Sequence, residues 1–417
     1  MFIGKSLLPD YLQKHEFKFY VLVLFISRVL IPLLFFELAT VFTAWLYNIA
    51  LLMNYTRVDG IWTPYPFLTN FLIYFMYSIT FNDYVSFSFL FFLFNSLSDI
   101  INGIIIWTLL KKSKYKFTPI MRWLYAYSPI PVMYISLQFI FDPYIVMILL
   151  FSIYFIKIKK IFSSSLLTSI GTSLKLFPIF AILSYFLMPN KKEKKFLFYS
   201  LMLLLSLNII LLLNPELFLS SYYWQLSRPA WGSVFGFLSI FLIGNDISLG
   251  TLFNEFFSSS LTLELIKYGI IGITPDPTLL QNYVPLQLSY IKILSFITIL
   301  SSILIFSYFA RRKNLSFEEI LISVLSLFFV FSFGFSPQYL IYILILLFVV
   351  FKPSYNYVIF IILLQILSLL EYPIILILYF LNILSLNIVI ILFYLIVLLR
   401  DAFLLYIPVQ FLIGKHE

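Results

Sequence analysis

Between residues 19 and 399 the chain is a succession of apolar runs separated by short polar breaks, and many runs approach the roughly 20 residues a helix needs to cross a hydrocarbon layer. No single soluble core could absorb so much apolar side chain: 62% of the 417 residues are hydrophobic and 11% are charged. Lipid is therefore the expected solvent. The runs lack the period-two alternation of barrel strands, so the spans are expected to be helices, whose backbone polar groups are satisfied internally. The expected fold class is an all-α integral membrane protein of about twelve transmembrane helices, forming one domain over residues 1–417.

The predicted spans lie near 19–37, 85–110, 119–140, 143–157, 162–174, 176–189, 196–213, 287–309, 317–335, 339–352, 356–371 and 375–399. The net charge of +9 does not describe a nucleic-acid-binding face, because the basic residues sit in short clusters between apolar runs. Such clusters mark cytoplasmic loops. On this reading the cytoplasmic side receives Lys5, Lys14 and Lys18, then Lys111, Lys112, Lys114, Lys116 and Arg122, then Lys157, Lys159 and Lys160. Lys191, Lys192, Lys194, Lys195, Arg311, Arg312, Lys313, Lys352, Arg400 and Lys415 follow, leaving only Arg28, Arg57, Lys175, Arg228, Lys267 and Lys292 elsewhere. Both termini are then cytoplasmic in a multi-pass protein of the cell membrane. The first run has no small-residue cleavage site after it and reads as a retained helix rather than a signal peptide.

The same alternation constrains residues 38–84. They are hydrophobic, yet a net crossing there would place the lysines at 111–116 outside, so the stretch is expected to form an extracytoplasmic loop with interfacial helices near 40–53 and 67–80. A second large extracytoplasmic loop is predicted over 214–286, broken at Asn214-Pro215, Gly244-Asn245 and Pro275 to Pro277.

Cysteine is absent and the two histidines, His15 and His416, lie near the ends of the chain, which removes thiolate and intramembrane histidine chemistry. No phosphate-binding P-loop, dinucleotide fingerprint, zinc-protease motif or acidic cluster for a divalent metal occurs, so neither a cofactor nor a metal is expected. The candidates that remain are few. Glu37 ends the first helix on its outer side and Asp59 precedes Gly60 in the turn before Trp62-Thr63-Pro64-Tyr65-Pro66. Either could be a base for an acceptor hydroxyl; the plain alternatives are a water-facing helix end and a turn residue. Asp99, inside the second helix, needs a partner or a neutral state and reads first as a structural hydrogen-bonding group. Asp142, just before Pro143, is a site residue or a helix N-cap. Lys175 falls in an outer turn against the charge trend, where it could hold a phosphate or extend to lipid headgroups. Arg228, among Tyr222, Tyr223 and Trp224, could face a sugar stacked on those rings or belong to an interfacial belt. Ser336-Pro337-Gln338-Tyr339 closes the ninth helix at the same face, as either a site loop or a helix-ending turn.

The order of these motifs resembles that of the GT-C superfamily of multi-pass glycosyltransferases, especially glycosyltransferase family 87 and the catalytic subunit of GPI mannosyltransferases. The resemblance runs from an acid after the first helix, through Gly60 to Tyr65-Pro66, Asp99, Trp123 with Ser128-Pro129, and Gln138 to Asp142, to Lys175-Leu176-Phe177-Pro178 and Ser336-Pro337-Gln338-Tyr339. In such families the first acid is an aspartate near the end of the first helix; here Glu37 holds that place and Asp59 comes later. Ser128-Pro129 stands for the usual Asn-Pro, and Gln138-Phe139-Ile140-Phe141 replaces a Gly-Gln pair before the acid. The resemblance implies inverting transfer of one hexose, commonly mannose, from a polyprenyl-phosphate donor to a glycan or lipid acceptor outside the cytoplasm. It implies Glu37 or Asp59 as base and Lys175 and Arg228 as phosphate clamps, with Asp142, Gln338, Tyr339 and Tyr65 at the substrate. A polytopic secondary transporter or lipid or polysaccharide flippase, using sparse charges such as Arg28 and Asp99, is the competing expectation. A non-catalytic scaffold is a third.

Overall fold

The computed structural model describes residues 15–36, 66–111, 118–133, 141–188, 194–213, 286–332, 339–350, 354–375 and 383–413, together with 43, 46, 47, 50, 51, 135, 233–235, 238 and 378. Its helices, in chain order, are α1 (Glu16–Phe25), which continues through a π-helical turn (Ile26–Leu30) into Ile31–Leu33, then α2 (Phe67–Ile79), α3 (Tyr84–Lys111), α4 (Thr118–Ala126) and α5 (Pro129–Met133). They are followed by α6 (Asp142–Lys157), α7 (Ile161–Leu174), α8 (Ile179–Leu187) and α9 (Lys194–Leu213). The last group is α10 (Leu286–Lys313), α11 (Phe317–Phe331), α12 (Leu340–Val350), α13 (Tyr355–Leu369) with a π-helical extension (Leu370–Ile374), and α14 (Leu386–Ile413).

Among the described residues there is no strand. Tyr84–Leu110, Tyr290–Lys313 and Ile391–Ile413 are long and apolar enough to cross a membrane alone, and Leu68–Ile79, Ile161–Leu174, Leu340–Val350 and Tyr355–Leu369 are apolar but shorter. On α10, Phe296, Ile297, Leu304 and Ile305 are each more than half exposed. A contiguous apolar surface of this kind is tolerated in lipid and not in water. The chain is an α-helical membrane protein.

Two predicted spans are redrawn. The run expected as one helix over 119–140 stops at Ala126 and restarts at Pro129. The physical cause is Ser128-Pro129-Ile130-Pro131: Pro129 and Pro131 have no N–H to give the preceding turn and clash with its carbonyls. The guanidinium of Arg28 takes over those carbonyls, its Nη2 donating to Tyr125 O at 2.9 Å and its Nη1 to Ala126 O at 3.2 Å. The span expected over 375–399 instead ends in α14, which continues past Arg400 to Ile413. Arg400 is therefore not a cytoplasmic flank. It lies midway along α14, fully buried, where its Nη1 donates to the Glu371 carboxylate and its Nη2 to Asp401 Oδ1 at 2.8 Å. The backbone of Val234, from the predicted second outer loop, faces Asp401.

Close helix approach depends on small side chains. Ser152 on α6 meets Ser164 and Thr168 on α7 at 2.8 and 2.6 Å, while Ser169 on α7 donates to Ser200 O on α9 at 2.9 Å. In an apolar solvent such hydroxyl contacts and dense packing replace the hydrophobic drive between helices. At Gly171 an added Cβ would lie 3.0 Å from both Ile148 and the Pro178 ring, so glycine permits the turn after α7 to fold back against α6. That turn carries Lys175.

Asp99 has the partner its position demanded. Arg28 Nε donates to Asp99 Oδ2 at 2.6 Å, both side chains have no exposed surface, and Tyr125 OH donates to Asp99 Oδ1 at 2.7 Å. The same guanidinium thus neutralises α3 and caps α4. Both termini's orientation rests on loops of which residues 1–14 and 414–417 lie outside the described residues.

Candidate functional site

Asp142 opens α6, with Phe141 as the N-cap position and no side-chain cap bond. The N-cap reading of Asp142 is therefore set aside: its carboxylate belongs to the first turn, where the helix dipole favours negative charge, and it is used elsewhere. Asp142 Oδ1 accepts from Lys175 Nζ at 2.6 Å and from Tyr342 OH at 2.8 Å. Asp142 has no exposed surface, whereas the Lys175 side chain is 13% exposed. An uncompensated carboxylate could not be held at this depth, so the lysine neutralises it and the tyrosine fixes its orientation.

Three elements converge to make this contact. Lys175 ends α7, where Gly171 O accepts from its backbone N–H at 2.8 Å and its extended backbone turns the chain toward α6. Phe177 follows in the turn, and its ring lies 4.6 Å from that of Tyr339 and 5.0 Å from that of Tyr342. The Lys175 ammonium sits 5.5 Å from the centre of the Phe177 ring and 5.0 Å from that of Tyr339, within range of a cation–π attraction. Tyr339 precedes α12 and Tyr342 is on it, three residues apart and hence on one helical face. The result is an ammonium held by a carboxylate on one side and aromatic rings on the other, with N–H capacity to spare because lysine carries three donors.

The second carboxylate oxygen, Asp142 Oδ2, has no hydrogen-bond partner among the described residues. On the adjoining face of α3, Asn102 Nδ2 donates to Pro143 O at 3.0 Å, and Phe91 packs against Phe141 with ring centres 4.6 Å apart. α3 therefore forms one wall of the site.

Of the predicted site residues, Asp142, Lys175 and Tyr339 come together. Glu37, Asp59, Tyr65, Arg228 and Gln338 lie outside the described residues, as do Arg57, Lys267 and the segments 52–65 and 239–285. The helix expected near 67–80 is present as α2, and its Thr69 hydroxyl donates to Leu174 O, one residue before Lys175. Sequence reasoning missed Tyr342, although its spacing from Tyr339 offered the signal. It also missed Glu371, whose place in a π-helical segment beside Pro373 hides it among apolar neighbours.

No protein-family model, curated protein or solved structure matches the chain.

Proposed function

We propose that the chain is a multi-pass glycosyltransferase of the GT-C kind, with about twelve spans and both termini cytoplasmic. It transfers a hexose, mannose by preference, from a polyprenyl-phosphate donor to a glycan or lipid acceptor at the extracytoplasmic face. The observation that carries this reading is the Asp142–Lys175–Tyr342 contact, which supports a preorganised anion site among aromatic rings at the end of the bundle where α6 begins and α7 ends. A lipid-linked donor reaches such a site sideways from the bilayer. Lys175, with one N–H on Asp142, directs its others to the donor phosphate, and Arg228 joins it from the second outer loop. Phosphate is a competent leaving group, so one carboxylate base suffices where glycosidases need two. Glu37 or Asp59 takes the proton from the acceptor hydroxyl, the oxygen attacks the anomeric carbon, and the polyprenyl phosphate departs with inversion. Gln338, Tyr339 and Tyr65 border the sugar.

The test uses membranes supplied with radiolabelled polyprenyl-phosphate mannose. Glu37→Gln or Asp59→Asn should abolish transfer at unchanged protein level, and full activity in both variants would sink the base assignment. Tags at Lys192 and Arg312 should be protected from outside reagents and one at Asp246 accessible; labelling of Lys192 from outside would reverse the orientation.

One observation favours a transporter as the second reading. The Glu371–Arg400–Asp401 cluster holds two carboxylates against one guanidinium in fully buried surroundings, the composition of an intramembrane coupling site. Arg28 and Asp99, the other charges such a reading would use, are committed to each other and to α4. Glu371→Gln in proteoliposomes separates the readings: loss of substrate uptake with sugar transfer absent from the wild type favours transport.

A further inference from the structure

Asn95 has no exposed surface, and neither its amide nitrogen nor its carbonyl oxygen has a hydrogen-bond partner among the described residues. An apolar side chain would occupy that place on α3 without leaving polar groups bare, so the amide is a cost that packing does not explain. Its direction follows from the helix. Residues 91, 95, 98 and 102 fall on one stripe of α3 at 3.6 residues per turn. Phe91 touches Phe141 and Asn102 donates to Pro143 O, so Asn95, between them on the stripe, lies on the face of α3 that packs against the start of α6, where Asp142 opens the helix. Two further acceptors there lack a partner among the described residues: Asp142 Oδ2 and Asn102 Oδ1. The buried seam between α3 and the start of α6 thus holds an amide that can donate and accept, and a carboxylate oxygen and a carbonyl oxygen that accept, near the backbone N–H groups opening a 16-residue helix.

A polyhydroxylated ring meets this set. Each sugar hydroxyl donates one hydrogen bond and accepts others, so vicinal hydroxyls can donate to Asp142 Oδ2 and Asn95 Oδ1 while one accepts from Asn95 Nδ2. The phosphodiester of a glycosylated lipid and its hydrocarbon tail carry no donor for bare acceptors. We infer that Asn95, together with the free oxygen of Asp142, reads the hydroxyls of the transferred sugar and is a specificity-determining residue of the donor site. This rests on the transferase reading above, and it separates two tasks within one site: Lys175 holds the phosphate, and Asn95 distinguishes a sugar-bearing lipid from a bare one.

The experiment compares two probes on the full chain in lipid nanodiscs: polyprenyl-phosphate mannose and the same polyprenyl phosphate without sugar. The wild type should bind the mannosyl lipid more tightly, and Asn95→Leu and Asn95→Ala should lose that preference by about tenfold, the effect of about 1.4 kcal/mol of lost hydrogen bonding. Both variants should bind the bare phosphate as the wild type does, and Asn95→Leu should melt at the same or a higher temperature without ligand, because an unpaired buried amide has been removed. Retained preference in the variants would mean that the amide is satisfied by water only and would overturn the inference while leaving the transferase reading intact. Lower melting temperatures for both variants would assign Asn95 a structural role and overturn it equally. If the wild type binds both lipids alike, the sugar subsite is lost and the phosphate site stands; if it binds neither, the transferase reading itself fails.

Discussion

Removing the charge on one side of the Asp142–Lys175 pair should cost far more than removing it on the other. Lys175→Met strands a carboxylate that has no exposed surface, leaving only the Tyr342 hydroxyl on Oδ1. Breaking a buried pair in this way costs about 3–5 kcal/mol, and the 13% exposure of the lysine places the loss at about 3. Asp142→Asn leaves the opposite charge behind, but the partly exposed ammonium can extend toward water and Tyr342 can still donate to the amide oxygen, so the loss should be only about 1 kcal/mol. The double variant leaves no unpaired charge and should be more stable than Lys175→Met alone, which corresponds to a coupling of roughly 2–3 kcal/mol. Unfolding of the four proteins in one detergent, followed by a cooperative spectroscopic signal, measures all terms of the cycle. Equal losses in the two single variants, or a double variant whose loss is the sum of the two, would show that the pair is water-screened and would remove the physical basis for a preorganised anion site.

Other consequences are more local. Tyr342→Phe removes one hydrogen bond to a charged acceptor and should lower stability by about 1.5 kcal/mol in the same assay, with no effect if the hydroxyl turns elsewhere. Gly171→Val puts methyl groups where a Cβ is already 3.0 Å from the Pro178 ring, which cannot rotate away; a loss of about 1–3 kcal/mol is expected, and an unchanged unfolding midpoint would refute the close approach. Ser316 and Glu319 form a capping box at the start of α11, so Ser316→Ala should cost about 1 kcal/mol, detectable as faster amide exchange in the first turn. Asp83 lies in the turn before α3, and its hydrogen bonds with Ser86 hold its carboxyl below the ordinary aspartate range. Its contribution is therefore present above the unfolded value of about 3.9 and lost as pH falls through the lower folded one, so wild type and Asp83→Asn should differ in thermal stability near pH 6 and converge as the pH is lowered below the unfolded value.

Helix content and most boundaries were legible because apolar period and length are local properties: α3 matches its predicted 85–110 within a residue at each end, and α6 and α7 match theirs equally well. Asp99 could be recognised as needing a partner, but Arg28 could not be named as that partner, since the two are 71 residues apart and nothing local joins them. Arg400 misled for a physical reason. A cation at the end of an apolar run is the mark of a cytoplasmic flank, and only its pairing with Glu371 and the adjacent Asp401 lets it sit inside one. The apolar residues 402–413 carried the missing signal. Lys175 reads as an exception to the charge trend and Asp142 as a site residue or an N-cap; that they answer one another is a tertiary fact, fixed by the approach that Gly171 permits.

The reach of Arg28 across the fold also sets an order of events during synthesis. Its carboxylate partner follows 71 residues later and the α4 carbonyls 97 and 98 residues later. A buried arginine without its carboxylate is costly, so α1 cannot settle into its final packing around Arg28 when it is first made. At about 5–20 residues per second, Asp99 is made roughly 4–14 s afterwards. Until then α1 has reason to stay undocked, and its final packing becomes conditional on the arrival of α3.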